Sequence, residues 1–381
     1  MGLTQIVALG QRIDKRLTRW RSPHKRSMLI NARTPMNYVV MAPVYKAMRD
    51  DPRVSFYFMS GERPSEEVYR EANGSLRLIS PRRAALKKFD AYVAADFIWA
   101  PLPRGVPRIQ MFHGVAGKYA NIYDRPDHSM RDWHRLFFIN RRRMGNFISS
   151  GAIDGDSPRA RLVGMPKLDC LVDGSLKRED VLASLDIEPA RSTVLYAPTW
   201  SPYSSLNAMG EELVALLAAA GYVVIVKLHD RSRDPEYIHS GGIDWAARLE
   251  PTLVRSGGRL VSGSDSSPYL AAADVLITDH SSIGFEYMLL DRPVIRIEMP
   301  DLIAKTNVNP EYVELLAAAS TSVRDAKEAV EAVERNLAEP QSQSASRRAV
   351  AEELFYKPGT ATARAVRELY EVLELDSLQA V

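Results

Sequence analysis

Two successive Rossmann-like α/β domains, with parallel sheets facing a central cleft, are what this sequence predicts, and three observations predict it. At 381 residues the chain is too long for one typical core. Short apolar runs of strand length alternate with helical stretches in two series, separated by a break. The stretch from Ala273 to Glu298 also contains a complete strand–turn–helix–strand unit. Its apolar run Val275-Leu276-Ile277 reads as a buried parallel strand. Thr278 to Ser282 form a polar turn, Ile283, Phe285, Met288 and Leu289 recur near helical spacing, Pro293 ends the helix, and Val294 to Ile297 begin the next strand.

The first series opens at Ser27. Met28 to Ile30 form a strand, and Met36 to Met48 a helix that is kinked at Pro43 or starts near it. Strands follow at 54–58, 91–95 and 108–112, and the regions 136–139 and 146–148 continue the series. Arg161 to Pro166 run into Gly-x-Pro and mark an exit from the domain. Residues 167 to about 188 read as linker and entry helix. The second series has strands at 193–197, 222–226 and 259–262, a helix at 210–220, and the 273–298 unit. Helices dominate after Glu311, with a polar loop at 341–346 and one or two terminal helices over 349–375. The boundaries are therefore 1–26 for an amino-terminal segment, 27–170 and 171–345 for the two domains, and 346–381 for carboxy-terminal helices.

Composition excludes little. Hydrophobic residues are 46%, charged residues 25%, and the net charge is +3, which favours no particular partner. The single cysteine, Cys170, rules out an internal disulfide and fits a reducing compartment. No apolar run is long enough to span a membrane. The first 26 residues are distinctive. Leu3, Ile6, Val7, Ile13, Leu17 and Trp20 fall near one helical face, and seven Lys/Arg residues (12, 15, 16, 19, 21, 25, 26) face one acid, Asp14. Such a helix can lie on an anionic membrane surface, or pack as a solvated basic helix on its own domain.

Open parallel sheets bind ligands beyond the carboxyl ends of their strands, so polar residues just after predicted strands are the candidates. Four clusters qualify. His113, ending a strand, precedes Gly114, Gly117 and Lys118; histidine exchanges protons near neutral pH, and glycine lets a ligand approach the backbone. Thr199 follows a strand in Tyr196-Ala197-Pro198-Thr199-Trp200. Lys227 and His229 alternate at another strand end, with Arg231 beyond, a cationic set suited to a diphosphate. Ser281 and Ser282 open a helix, where unpaired amides and hydroxyls suit a phosphate. Glu286, about 6 Å further along that helix, can accept hydrogen bonds from ribose hydroxyls. Each has an ordinary reading as well: a loop histidine, turn chemistry, solvent-facing arginines, a helix cap. Few carboxylates join these clusters, which argues against metal-clustered hydrolysis and gives no metal ligands. Neither a Gly-x-x-x-x-Gly-Lys-Ser/Thr loop nor a strong Gly-x-Gly-x-x-Gly turn is present, which lowers kinase and dehydrogenase readings.

In order, His113-Gly114, Tyr196-Ala197-Pro198-Thr199-Trp200, Lys227-Leu228-His229 and Asp274 to Ser282 followed by Arg292-Pro293 resemble the CDP-glycerol glycerophosphotransferase family of teichoic-acid primases and polymerases, over about 112–297. The resemblance implies a GT-B-like fold at the cytoplasmic membrane face, with 27–170 as acceptor domain and 171–345 as nucleotide-donor domain. It implies transfer of glycerol phosphate from CDP-glycerol, or of a similar polyol phosphate, to an acceptor hydroxyl of a lipid-linked or polymeric substrate, releasing CMP. No resident cofactor is called for, and dependence on a divalent cation is left open. By position, His113 matches a candidate general base and His229 a histidine stabilising the diphosphate or leaving group. Thr199, Ser281 and Ser282 match phosphate-contacting positions. Glu286 stands where many relatives carry Asp. The loop Gly114-Val115-Ala116-Gly117-Lys118 and the segment Ser201-Pro202-Tyr203 depart from the family pattern. Two other readings compete: a nucleotide-sugar glycosyltransferase of the same fold, and a non-enzymatic membrane-surface module. Nucleic-acid binding, resting on Arg141-Arg142-Arg143 alone, is the weakest, since an anionic lipid or polyanionic acceptor accounts for that run equally well.

Overall fold

The computed structural model describes residues 24–376 except 73, 99, 101, 103–104, 120–131 and 235, and in addition residues 5, 6, 9, 10, 12, 13, 17 and 20. The chain divides into two compact units. The first comprises Met1–His113, Tyr123–Asp169 and Tyr356–Val381; the second comprises Gly114–Ile122 and Cys170–Phe355.

The first unit is built on a six-stranded parallel sheet in the order β2-β1-β3-β4-β5-β6. The strands are β1 (Arg26–Asn31), β2 (Val54–Met59), β3 (Ala91–Ala95), β4 (Arg108–Met111), β5 (Arg135–Phe138) and β6 (Ala160–Leu162). β1, β3 and β4 are buried almost throughout, as strands covered on both faces must be. Helix α1 (Pro35–Met48) starts at a Thr34 capping box with Asn37 and runs through Pro43, so the proline does not start it. The terminal helix α10 (Ala361–Leu373) buries Ala365, Leu369, Tyr370 and Leu373 in the same core as α1. It is anchored by Asp169, whose carboxylate accepts the Ala361 and Thr362 amides at 3.0 and 2.7 Å, charge at a helix amino end where it is favoured. The sequence reverses direction between β1 and β3, the switch point of this sheet.

The second unit has its own six-stranded parallel sheet, in the order β12-β11-β10-β7-β8-β9. The strands are β7 (Thr193–Tyr196), β8 (Val223–Lys227), β9 (Arg259–Val261), β10 (Val275–Thr278), β11 (Val294–Ile297) and β12 (Thr321–Val323). Read from β9, this is the 3-2-1-4-5-6 order of dinucleotide-binding folds, with its switch point between β7 and β10. Helices α3 (Ser205–Ala219), α4 (Trp245–Ser256) and α8 (Ala326–Ala338) supply much of its core through Leu213, Val214, Leu217, Leu249, Leu253, Ala329 and Val333.

Several boundaries differ from those expected. Residues 146–148 are helical, within α2 (Arg141–Ser149), because Asn140 caps that helix through the Arg143 amide at 2.8 Å. Helix α3 begins at Ser205, five residues before the expected start, since Asp279 holds its first turn. The polar stretch 341–346 becomes helical at Ser344, in α9 (Ser344–Leu354); Ser344 Oγ and Arg347 Nε both donate to Asp291, a partner invisible to local sequence. Residues 114–122 group with the second unit, and 356–381 with the first.

Candidate active site

In the second unit the switch point gathers polar groups from four segments. β7 leads into Thr199 and β10 into Asp279, His280, Ser281 and Ser282. Asp279 is fully buried and satisfies three donors: Thr199 N at 2.9 Å, Ser205 N at 3.1 Å and Ser205 Oγ at 3.0 Å. One carboxylate therefore fixes both the Thr199 loop and the start of α3. Lys118 arrives from the 114–122 segment and donates from Nζ to Thr199 Oγ1 at 3.3 Å. Its carbonyl accepts Asn309 N at 2.9 Å, and Tyr119 forms a β-bridge with Val308. Burial pushes the Lys118 ammonium down to about 8, against the pull of Asp279. It is still mostly charged at pH 7, in a setting where that charge is costly without an anion beside it.

Ser282 is the N-cap residue of the short helix α6 (Ile283–Met288), yet its side chain makes no capping bond. The ordinary reading of these serines as caps is thus not realised. The half-buried Ser281 and Ser282 present hydroxyls beside the first amides of a helix. Glu286, one turn on, is buried and accepts Ser266 Oγ at 3.3 Å.

At the end of β8, Lys227 and His229 diverge. Lys227 is buried and its Nζ donates to the Leu228 carbonyl at 2.9 Å, so the ammonium is in part committed to the protein. His229 keeps an exposed edge. Its Nδ1 accepts the Arg231 amide at 3.1 Å, which assigns the proton of the neutral ring to Nε2. Dense surrounding protein pushes its pKa down to about 4, with Asp230 opposing and Lys227, Arg231 and Lys118 adding to the fall. Water at the open edge screens part of this; the direction, a neutral Nε2–H donor at pH 7, is what the chemistry uses. Arg231 stacks on Trp200 with its guanidinium carbon 4.2 Å from the ring centroid, and is exposed. Arg233 donates to the Val261 carbonyl at 2.7 Å and is structural.

In the first unit, His113 lies two residues beyond β4. Its Nδ1 is 2.5 Å from Asp96 Oδ1, with the oxygen displaced from the ring N–H direction, since Nδ1 makes no aligned hydrogen bond. Gly114, the next residue, is exposed and open around its Cα. Asp96 follows β3 directly and was not among the sequence candidates, although the rule that selected them, polar residues just after strands, applies to it. Asp279 and His280 lay inside the recognised stretch, but nothing local marked them. His280 is fully buried, with Nδ1 unpartnered. Burial pushes its pKa down to about 4, opposed by Asp279 and assisted by Arg296 and Lys118.

Among the described residues, one set has the spacing of cation ligands: Asp234, Glu236 and His239, with His239 Nδ1 3.1 Å from Asp234 Oδ2. A cavity of about 540 Å³ lined by Arg178, Arg191, Asp274, Asp291 and Arg292 opens at the amino ends of β7, β10 and β11, away from this chemistry.

The chain thus has two parallel α/β units, the second with dinucleotide-binding strand order and phosphate-suited groups at its switch point. The chain belongs to the CDP-Glycerol:Poly(glycerophosphate) glycerophosphotransferase family, whose sequence model matches residues 102–371. It is 26% identical over 249 residues to a teichoic acid poly(glycerol phosphate) polymerase of Staphylococcus epidermidis, covering 61% of this chain and 32% of that protein. To the protein of the same description from Bacillus spizizenii it is 25% identical over 228 residues, covering 54% of each. The chain thus spans about a third to a half of these relatives. A solved structure of a variant of the wall teichoic acid polymerase TagF soaked with CDPG superposes with a TM-score of 0.68 at 17% identity, covering 97% of both chains. That likeness bears out the GT-B-like two-domain α/β fold.

Proposed function

We propose that this chain transfers glycerol phosphate, or a closely similar polyol phosphate, from CDP-glycerol to an acceptor hydroxyl in the synthesis of a teichoic-acid-like or capsular cell-surface polymer. Family membership supports the donor class. The single observation that carries the reading is the convergence of Lys118, Thr199, Ser281 and Ser282 at the β7/β10 switch point. There a diphosphate meets a half-buried ammonium, three hydroxyls and helix-end amides.

In this reading His113 is the general base. Its Nε2 takes the proton of the acceptor hydroxyl as that oxygen bonds to the β-phosphorus of the donor; the bond from that phosphorus to the bridging oxygen breaks, and CMP departs. His229, neutral and protonated on Nε2, donates to the diphosphate or the departing oxygen. Lys118, Thr199, Ser281 and Ser282 hold the phosphates, Arg231 adds charge at the rim, and Glu286 meets the ribose. Lys227 contributes positive potential from beneath His229. Catalysis is then mainly positioning and charge stabilisation.

The acceptor in this reading is lipid-linked or polymeric, and the protein works peripherally at the cytoplasmic face of the membrane. The described positions of the amino-terminal segment support this. They are helical, with Ile6, Leu9, Ile13, Leu17 and Trp20 exposed, an apolar stripe of the kind that enters a headgroup layer. The residues Leu3, Val7, Asp14, Lys15, Arg16, Arg19 and Arg21 of that segment lie outside the described ones. No described helix is long and apolar enough to cross a membrane.

The test is a ligand screen by thermal shift and calorimetry with CDP-glycerol, CDP-ribitol, CMP, UDP and UDP-sugars. A donor present at about 100 times its Kd stabilises by roughly 2.7 kcal/mol. Selective stabilisation by cytidine nucleotides is expected. Selective stabilisation by uridine nucleotides would replace this proposal with sugar transfer. His113→Ala should lower turnover with donor affinity retained, and His229→Ala should lower both. Sedimentation with anionic but not neutral vesicles, lost on deleting residues 1–23, tests the membrane assignment.

A further inference from the structure

The contact between Asp96 and His113 is the product of a local construction at the ends of β3 and β4, where Phe97 also packs against Phe112, Trp133 and Phe147. β3 and β4 pair in register, Ala95 opposite Met111, so the residues just beyond both strands come side by side. Asp96 and Phe97 then both adopt left-handed backbone conformations, with φ of 59° and 53°. Residues other than glycine rarely do this, and a bulky side chain such as Phe97 is strained there. Gln110, fully buried on β4, holds the turn by accepting the Phe97 amide at 2.8 Å. Two backbone distortions and a buried glutamine thus aim one carboxylate.

The carboxylate is clamped from its other side. Asn37 Nδ2 donates to Asp96 Oδ2 at 2.8 Å. The amide cannot be turned over, because its Oδ1 accepts the Arg33 and Thr34 amides, each at 3.1 Å. With Oδ2 held by Asn37, Oδ1 is left for His113 Nδ1. Burial works to raise the Asp96 pKa, but His113, Asn37 and the charge of Arg33 outweigh it, and the group stays below the ordinary carboxylate range. Among the described residues, the charge acting on Asp96 besides His113 is that of Arg33, which itself pairs with Glu62 at 3.7 Å.

We propose that Asp96 is a positioning residue for His113: held by Asn37, it keeps the imidazole proton on Nδ1 and leaves Nε2 with a free lone pair. The inference rests on the reading of His113 as general base. A carboxylate beside Nδ1 stabilises the Nδ1–H tautomer and the imidazolium formed when Nε2 takes a proton. In water the neutral ring prefers the opposite tautomer, so without Asp96 most of the His113 population carries its proton on the nitrogen that must accept one.

The variant is Asp96→Asn in the full chain. Asparagine tolerates the left-handed region as aspartate does, so the turn and its melting temperature should be kept. Nitrogen-15 spectra of histidine-labelled protein, with His113 assigned by its loss in His113→Gln, read the tautomer directly and need no turnover. The expected result is Nδ1–H in the parent chain and predominantly Nε2–H in Asp96→Asn. CMP release from CDP-glycerol with a lipid-linked acceptor should fall roughly 10- to 100-fold in kcat, no more than the about 10²–10⁴-fold that a general base itself contributes, while the donor KM changes by less than about threefold. An unchanged tautomer overturns the proposal, and so does a changed tautomer with kcat unmoved. Parent-like turnover in His113→Ala would instead remove the base assignment, and the tautomer result would show separately whether Asp96 governs the ring.

Discussion

Asp279→Ala should destabilise the second unit more than any other single change at the β7/β10 switch point. The carboxylate is fully buried and accepts Thr199 N, Ser205 N and Ser205 Oγ at 2.9, 3.1 and 3.0 Å. Alanine removes all three acceptors. The Ser205 hydroxyl can rotate toward Tyr196 Oη, 2.9 Å away, so two backbone amides are left without partners. An unsatisfied buried donor costs about 1–3 kcal/mol, which gives roughly 2–6 kcal/mol, and the loss of negative charge near the half-buried Lys118 adds to it. Asp279→Asn separates the contributions. It keeps one oxygen for the Thr199 amide but turns an NH₂ toward the Ser205 amide, leaving one donor unpaired and costing about 1–3 kcal/mol. Urea unfolding read by hydrogen exchange over peptides spanning 193–219 follows this unit by itself. A loss below about 1 kcal/mol for alanine, or equal losses for alanine and asparagine, would refute the hydrogen-bond accounting.

Three further outcomes follow from the same structure. His280 has its pKa pushed down to about 4 by burial, so between about pH 4 and 6.5 the unfolded chain binds a proton that the folded one refuses. Stability should therefore rise with pH across that window, by ~2–3 kcal/mol from this group, and His280→Asn should remove one proton's share of the slope in urea titrations at pH 4.5, 5.5 and 7. Because Lys118 titrates at about 8, donor affinity measured by calorimetry should weaken as pH rises from 7 to 9, and Lys118→Met should bind weakly with no such dependence. Gly164 has φ of +93°, and a Cβ there would lie 2.6 Å from the Tyr356 carbonyl oxygen and 2.9 Å from Ala361 Cβ. Gly164→Ala should thus cost about 2–4 kcal/mol of first-unit stability, backbone strain plus displacement of the α10 start, measured by chemical denaturation.

Most strands of both sheets were legible because buried parallel strands are written as continuous apolar runs; β12 was not, because its three residues, Thr321-Ser322-Val323, include one buried apolar side chain and form no such run. Val223 to Val226 and Val275 to Ile277 need no partner to be recognised. The Ser281-Ser282 turn was legible for a related reason: hydroxyls between a strand and a helix mark a strand end, where ligands bind. Helix starts were less legible. Ser205 and Ser344 begin helices because Asp279 and Asp291, distant in sequence, hold their first turns.

What the sequence by itself determined was periodicity and composition: two α/β series, their strands, and the order of the polar strand ends that carry the family resemblance. Tertiary structure alone decided which of those ends meet and what each side chain can do on arrival. It ordered the second sheet so that Thr199 and Asp279 share a switch point. It brought Lys118 to Thr199 from a segment that precedes the second series, turned Lys227 back onto its own backbone, and set Asp96 beside His113. The physical reason is that parallel strands are joined by long crossovers, so sheet neighbours are remote in sequence. Hydrogen bonds between their ends exist only once each sheet has formed, and the burial that shifts Lys118, His229 and His280 only once the second unit has folded.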